Sequence, residues 1–449
     1  MGAQTAAIAG LVVMFIVATV LPINMGALAF ALAFLVGTVS MGLRADQIIA
    51  GFPGDLFVTL VGITYLFAIA QKNGTIDFLV HSAVRMVRGR IAAIPWIMFT
   101  VAACLTAVGA VSPAAVAILA PVALQFARQY GINPLMMGLL VIHGAQGGGF
   151  SPISIYGGIT NQIVARSGIP GDEMVVFLAS LVFNLLVAIA VFFAFGGLRL
   201  LRQKAGAGAQ PGPEPALGRD GPAAELQIEG YGTSPAAQIT APSRLVPGGQ
   251  RVTTEQMLTL AGLLALAVGA LAFNLNVGLV AISVAVVLAL ISPNEQKNAV
   301  DKISWSAVLL VGGVITYIAV LQRSGAIDSL GQGVSGIGAP LLAALLLCYV
   351  GGIVSAFASS VAVLGATIPL AVPFLQQGEI GPVGMIAALA ISSTVVDVSP
   401  FSTNGALVVA NAPPEERDSV YKRFLAYSIL VIIAGPALAW LMLVVPGWF

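Results

Sequence analysis

Gln146-Gly-Gly-Gly-Phe-Ser-Pro-Ile-Ser-Ile-Tyr-Gly157 and Thr394-Val-Val-Asp-Val-Ser-Pro-Phe-Ser-Thr-Asn-Gly405 share one pattern, Ser-Pro-x-Ser-x-x-Gly, at Ser151 to Gly157 and again at Ser399 to Gly405. The offset is 248 positions (399 − 151), and Ser112 with Ser360, Pro121 with Pro369 and Pro134 with Pro382 keep it. Nearer the start of each half, Gly62, Gln71, Lys72, Gly74, Ile76 and Asp77 match Gly313, Gln322, Arg323, Gly325, Ile327 and Asp328 at an offset of 251 (313 − 62). One unit used twice accounts for both sets.

The solvent of that unit is a bilayer. Of 449 residues 58% are hydrophobic and only 8% charged, where a soluble domain carries about 25% charged residues. A formal charge of +1 gives no electrostatic footprint for nucleic acid. Cys104 and Cys348 lie in apolar segments without a neighbouring ligand, which argues against a disulfide framework or a zinc site. Residues 1–7 hold no Lys or Arg ahead of the first apolar run, so that run is expected to remain as a span.

Uninterrupted apolar stretches run at 5–21, 25–43, 56–70, 174–195, 254–273, 277–291, 305–321 and 424–445. Two further regions, 91–128 and 340–375, are broken by Gly, Ser and Pro near 109–113 and 355–360, and read as re-entrant hairpins. Two more, 134–165 and 382–411, are interrupted at 147–152 and 397–404 and read as discontinuous helices. Free backbone groups at membrane depth survive only inside protein or along a cavity, so such breaks are a functional signal. The expected fold is therefore an all-α polytopic membrane protein. It has two inverted repeats, 1–195 and 252–449, each of five transmembrane helices plus one hairpin, with broken helices at the midplane. Between them 196–251, rich in Pro, Gly and Ala, reads as a flexible linker, and 75–90 reads as an amphipathic interfacial helix.

Charge tests this layout. Threading the spans puts Arg44, Arg166 and Arg323 on the side of the termini and the other 16 of the 19 basic residues opposite (19 − 3). By the positive-inside rule both termini face the periplasm of an inner (plasma) membrane protein, and the linker faces the cytoplasm.

Two hairpin tips and two unwound loops would meet near the midplane as two like half-sites. Half-helix N-termini and hydroxyls suit carboxylate oxygens. Ser112 and Ser360, with Ser359 beside it, are the tip candidates; Ser151, Ser154, Ser399, Ser402, Thr403 and Asn404 are the loop candidates. The competing reading is that these small residues only allow close helix packing. Unwound carbonyls around Gly148 and Gly149 could hold a coupling cation, and a sodium ion would sit near Gly109, Ser112, Gly148, Ser360 and Asp397. Asp397, a deep carboxyl, would help hold that cation, titrate as a proton carrier or cap a half-helix; His143 would sense protonation, donate to substrate or tie helices together.

With these two broken helices and two Ser-bearing tips the chain resembles the ion transporter superfamily and, within it, the divalent anion/sodium symporters. Those carry Ser-Asn-Thr at both tips, whereas the tips here read Ser112-Pro113-Ala114 and Ser359-Ser360-Val361. The stretch Gln146 to Tyr156, with Val20-Leu-Pro-Ile-Asn-Met-Gly26, is similar to the malonate carrier branch of dicarboxylate permeases. That resemblance implies cation-coupled uptake of malonate or a similar short dicarboxylate by an elevator-type movement, in a homodimer. A sodium/proton antiporter of the same superfamily is the alternative. No nucleophile with its base or metal cluster suggests an enzyme, and no cofactor is expected beyond a sodium ion.

Overall fold

The computed structural model of the chain describes residues 2–21, 23–76, 78–79, 82, 90–202, 252–293, 298–327, 329, 339–356, 360–376, 378, 380–412 and 415–447. Among them every regular element is helical. The first half contains α1 (Ala3–Val20), α2 (Met25–Leu35), α3 (Gly54–Lys72), α4 (Ile94–Ala107), α5 (Ser112–Tyr130), α6 (Pro134–Gly148), α7 (Ile155–Arg166) and α8 (Glu173–Ala194). A short α9 (Gly197–Arg202) follows. The second half contains α10 (Thr254–Leu271), α11 (Val277–Ile291), α12 (Trp305–Arg323), α13 (Pro340–Ser355), α14 (Ser360–Leu375), α15 (Pro382–Val395), α16 (Thr403–Ala410) and α17 (Arg417–Leu443). The order recurs element for element, with α10 starting 251 positions after α1 (254 − 3) and α12 starting 251 after α3 (305 − 54).

Among the described residues six stretches are long and apolar enough to cross a membrane, α3, α8, α10, α12, α17 and the interrupted 382–410. Their starts follow local chemistry. Asn24 accepts the N–H groups of Gly26 and Ala27 and so caps α2, Asn276 caps α11 through Leu279, and Thr253 with Gln256 forms a capping box on α10. Pro134 and Pro382 sit in the first turns of α6 and α15, where a missing N–H costs nothing.

The halves are laced together rather than set side by side. α3 packs on α11, and the equivalent α12 packs on α2. Each crossing rests on a glycine pair. A Cβ on Gly278 would stand 2.5 Å from Thr59 N, a Cβ on Gly62 would stand 2.5 Å from the Gly278 carbonyl, and a Cβ on Gly26 or Gly313 would overlap the backbone of the other helix. Backbones this close leave no room for a side chain. Further along, α5 packs on α16 of the other half, and α14 packs on α7.

Direction is legible from the ends. Arg166 at the end of α7 pairs with Asp55 at the start of α3 at 2.5 Å, and Arg323 at the end of α12 donates to the Gln47 carbonyl at 2.6 Å. Arg44, Arg166 and Arg323 therefore gather along the 44–55 segment, on one face of the protein. The opposite end of α3 (Gln71) and the lead-in to α12 (Lys302, Ser304) share one cavity. The equivalent helices α3 and α12 thus run antiparallel.

The expected linker needs one correction. Its first residues are helical, because Leu200, 4% exposed, lets α9 dock against the turn Ile91–Ala93. The rest of it, 203–251, lies outside the described residues, as do most of the expected amphipathic helix at 75–90 and the tip residue Ser359.

Candidate functional site

Four helix starts carry the candidate residues: α5 at Ser112, α14 at Ser360, α7 capped by Ser154 and α16 capped by Ser402, with α5 packed on α16 and α14 packed on α7. The first pair comes from the two tips and the second from the two breaks. Their N-termini carry partial positive charge and unpaired N–H groups.

The two breaks are built alike, bond for bond. Ser154 Oγ lies within hydrogen-bond reach of the carbonyls of Gly149 and Ser151 (the latter at 2.7 Å), which share its one proton, and accepts from Gly157 N at 3.2 Å. Ser402 Oγ lies 2.5 Å from the Asp397 carbonyl and 2.7 Å from that of Ser399, and accepts from Gly405 N at 3.3 Å. Ser151 and Ser399 each accept the N–H two residues on, from Ile153 and Phe401. A Cβ on Gly157 or Gly405 would overlap the carbonyl of Ser151 or Ser399, which accounts for the shared glycine. Ser154 and Ser402 are thus occupied as N-caps, while Ser151 and Ser399 hold the loop and keep a hydroxyl proton to give.

Around that common frame the chemistry differs. At the first tip Ser112 is 2% exposed and accepts from Asn404 Nδ2 at 2.9 Å, a bond joining residues of opposite halves. Ser112 keeps its own proton to donate. Asn404 Oδ1 is buried and, among the described residues, without a partner. Turning the amide over would let Ser112 donate to Oδ1 and would aim both N–H groups into the site instead. Either way the pair has hydrogen-bonding capacity to spare for a ligand.

At the second tip Ser360 Oγ lies 2.6 Å from Asp397 Oδ1, and Ser355 Oγ lies 2.9 Å from Ser360 Oγ and 2.5 Å from the Ser393 carbonyl. A carbonyl only accepts, and a hydroxyl has one proton. Ser355 therefore donates to Ser393. If Asp397 is ionised, Ser360 donates to it and the Ser355–Ser360 contact holds no proton. All three contacts hold a proton only when Asp397 is protonated and donates to Ser360. A cation shared by these oxygens would resolve the same conflict. No basic side chain among the described residues pairs with Asp397.

The remaining candidates separate cleanly. Thr403 is exposed, one position round the helix from Asn404, and faces away from the cluster. Gly148 packs against α4, where a Cβ would overlap Ala103 and Thr106, and the Gly149 carbonyl is taken by Ser154 and Gly157. Gly109 adopts φ +123°, which frees the first tip to turn. His143 is fully buried, with Nδ1 2.9 Å from Asn184 Oδ1 and Nε2 2.8 Å from the Tyr427 hydroxyl. Asn184 Nδ2 donates to the Ser180 carbonyl, so its Oδ1 is the acceptor and His143 carries its proton on Nδ1. With both ring nitrogens bonded, His143 ties α6, α8 and α17 together.

Two groups that motif reading passed over, Ser355 and Tyr156, belong with the cluster, and a third, Gln146, lies just ahead of the first break. Ser355 extends the second tip's hydroxyl chain. Tyr156 occupies the place equivalent to Asn404 (404 − 248) and borders the gap beside Ser112 and Gly149. The Gln146 amide, one turn before the first break, is buried and has no hydrogen-bond partner among the described residues. Gln146 and Tyr156 open and close the stretch quoted for the malonate carrier resemblance.

Residues 1–149 match the family described as dicarboxylate carrier protein MatC N-terminus. No curated protein matches the chain. The family match spans the first tip and stops two residues short of Ser151. The match covers the first third of the chain and agrees with the resemblance to a malonate carrier-like dicarboxylate permease.

Proposed function

We propose that the chain, whose first third matches the MatC dicarboxylate carrier family, moves a short dicarboxylate such as malonate across the inner membrane by cation-coupled symport. The observation that carries this reading is reciprocity: each tip meets the broken helix of the opposite half, α5 on α16 and α14 on α7. Reciprocal contact is what a twofold relation requires. Together with antiparallel α3 and α12 it supports an inverted repeat with a site on the axis. The helices flanking the first break at 109–111 and the second near 356 have 14 to 19 residues. Their short first arms, about 21–24 Å long, suit re-entrant hairpins that stop inside the bilayer.

Two half-sites accept two carboxylates, one at Ser112 and Asn404 and the other near Ser360. A dianion and Asp397 would repel one another in a low dielectric, so we assign coupling to a cation that neutralises Asp397, either a proton or sodium held by Ser355, Ser360 and Asp397. The close glycine crossings make α2, α3, α11 and α12 a scaffold, against which the tips and broken helices would slide in an elevator movement. A homodimer is part of the same proposal and rests on the family resemblance.

Uptake of labelled malonate, succinate and citrate into proteoliposomes, with sodium and proton gradients imposed separately, tests the reading. Accumulation driven by one cation gradient is expected, and no uptake of any dicarboxylate would defeat it. The proton conflict at Asp397 also favours a sodium/proton antiporter as a second reading. Sodium-driven proton movement without an organic anion, read by a pH-sensitive dye, would select that alternative.

A further inference from the structure

A cavity on the far side of the first tip takes no part in the proposed carboxylate site. It measures about 60 Å³, space for a few waters at roughly 10–15 Å³ each. Ala110 and Val111 form part of its wall and also line the gap beside Ser112, Gly149 and Tyr156. A thin piece of the tip therefore separates the cavity from the candidate site. Away from the tip the lining is polar, from Gln71 at the end of α3 and from Lys302 and Ser304 ahead of α12. Lys302 is exposed at the end of the turn Val300–Lys302, and its neighbour Asp301, also exposed, does not line the cavity.

A cationic side chain at the mouth of a cleft with apolar walls raises the local concentration of anions. We propose that this cavity is a vestibule between the site at Ser112 and the membrane face bearing Lys302, with Lys302 drawing an anionic carboxylate into it. The proposal rests on the dicarboxylate reading. A space of this size admits water but not a dicarboxylate, so passage requires the tip to move. Gly109, whose φ few other residues tolerate, lies in the stretch of tip that lines the cavity.

The test replaces Cys104 and Cys348 by alanine in a background shown to transport as the parent does, then places one cysteine at Ala114 or Ser304, both of which line the cavity. Reconstituted protein is treated from either side with an anionic (sulfonate) or a cationic (trimethylammonium) methanethiosulfonate. Both positions are expected to react from one side only, and malonate is expected to slow labelling at Ala114→Cys. At Ser304→Cys the anionic-to-cationic rate ratio should fall about three-fold to ten-fold in Lys302→Gln and recover in Lys302→Arg. Labelling from both sides or from neither, or a ratio indifferent to Lys302, would overturn the vestibule. Malonate uptake with an unchanged ratio rejects the vestibule and leaves the carrier. Sided, Lys302-dependent labelling without malonate uptake or protection keeps the vestibule and rejects malonate as the cargo.

Discussion

The two breaks share a frame and differ in what they carry. Ser154 and Ser402 cap their half-helices through the same bonds, yet Asp397 stands where the first half has Gly149, and Asn404 where it has Tyr156. Ser355 likewise stands where the first half has Ala107 (355 − 248). Duplication supplied the geometry, and divergence made one half ionisable and the other neutral. A substrate with two like ends would then meet two unlike partners, with the coupling cation confined to one of them.

The sharpest way to break that contrast is Asp397→Asn, which keeps the shape and removes the charge. Gradient-driven accumulation in proteoliposomes should be lost while the protein still purifies as folded; retained accumulation would mean that coupling lies elsewhere. Next in size is the scaffold. Gly26→Val and Gly278→Val press a branched side chain into equivalent crossings, where overpacking costs about 1–3 kcal/mol or more. Both should lower the melting temperature in detergent by similar amounts, and a large difference between them would deny the equivalence.

At the tips, Ser112→Ala and Ser360→Ala each remove a hydroxyl proposed to face a substrate carboxylate, a bond worth about 1.5–3 kcal/mol, so the apparent affinity for malonate should fall about ten-fold to a hundred-fold. Ser151→Ala and Ser399→Ala should act in the same direction if their free protons reach the substrate. Unchanged affinity in both would leave the paired loops as architecture alone. Smaller still are the caps: Ser154→Ala and Ser402→Ala should cost about 0.5–2 kcal/mol of stability, measured by thermal unfolding, and change affinity less than the tip variants do.

Much of this was legible in the sequence because a repeat leaves fixed offsets and a broken helix needs Gly, Ser and Pro. Pro134 and Pro382 mark helix starts, and Ser151-Pro and Ser399-Pro mark where those helices stop. What each serine does was not legible. Ser154 and Ser402 look like ligands in a motif, but a serine two or three residues after a break, followed by helix, is also an N-cap, and only the hydrogen bonds separate the two roles. Thr403 follows from the same limit, since neighbouring positions on a helix point about 100° apart and Asn404 took the inward one. His143 finds its partners 41 and 284 positions away, and Ser112 finds Asn404 292 positions away. Contacts between halves depend on how the repeats interlock, which offsets along one chain do not encode.

At the centre stands a site that holds one carboxylate at the Ser112–Asn404 pair, between the halves, and the other near Ser360. Binding of malonate and of acetate to the purified protein, measured by calorimetry at saturating coupling cation, tests it most directly. Two half-sites predict that malonate binds at least about a hundred-fold tighter than acetate, and that Asn404→Ala erases about ten-fold or more of that advantage. Equal affinities for malonate and acetate, or an advantage untouched by Asn404→Ala, would contradict a site shared between the halves.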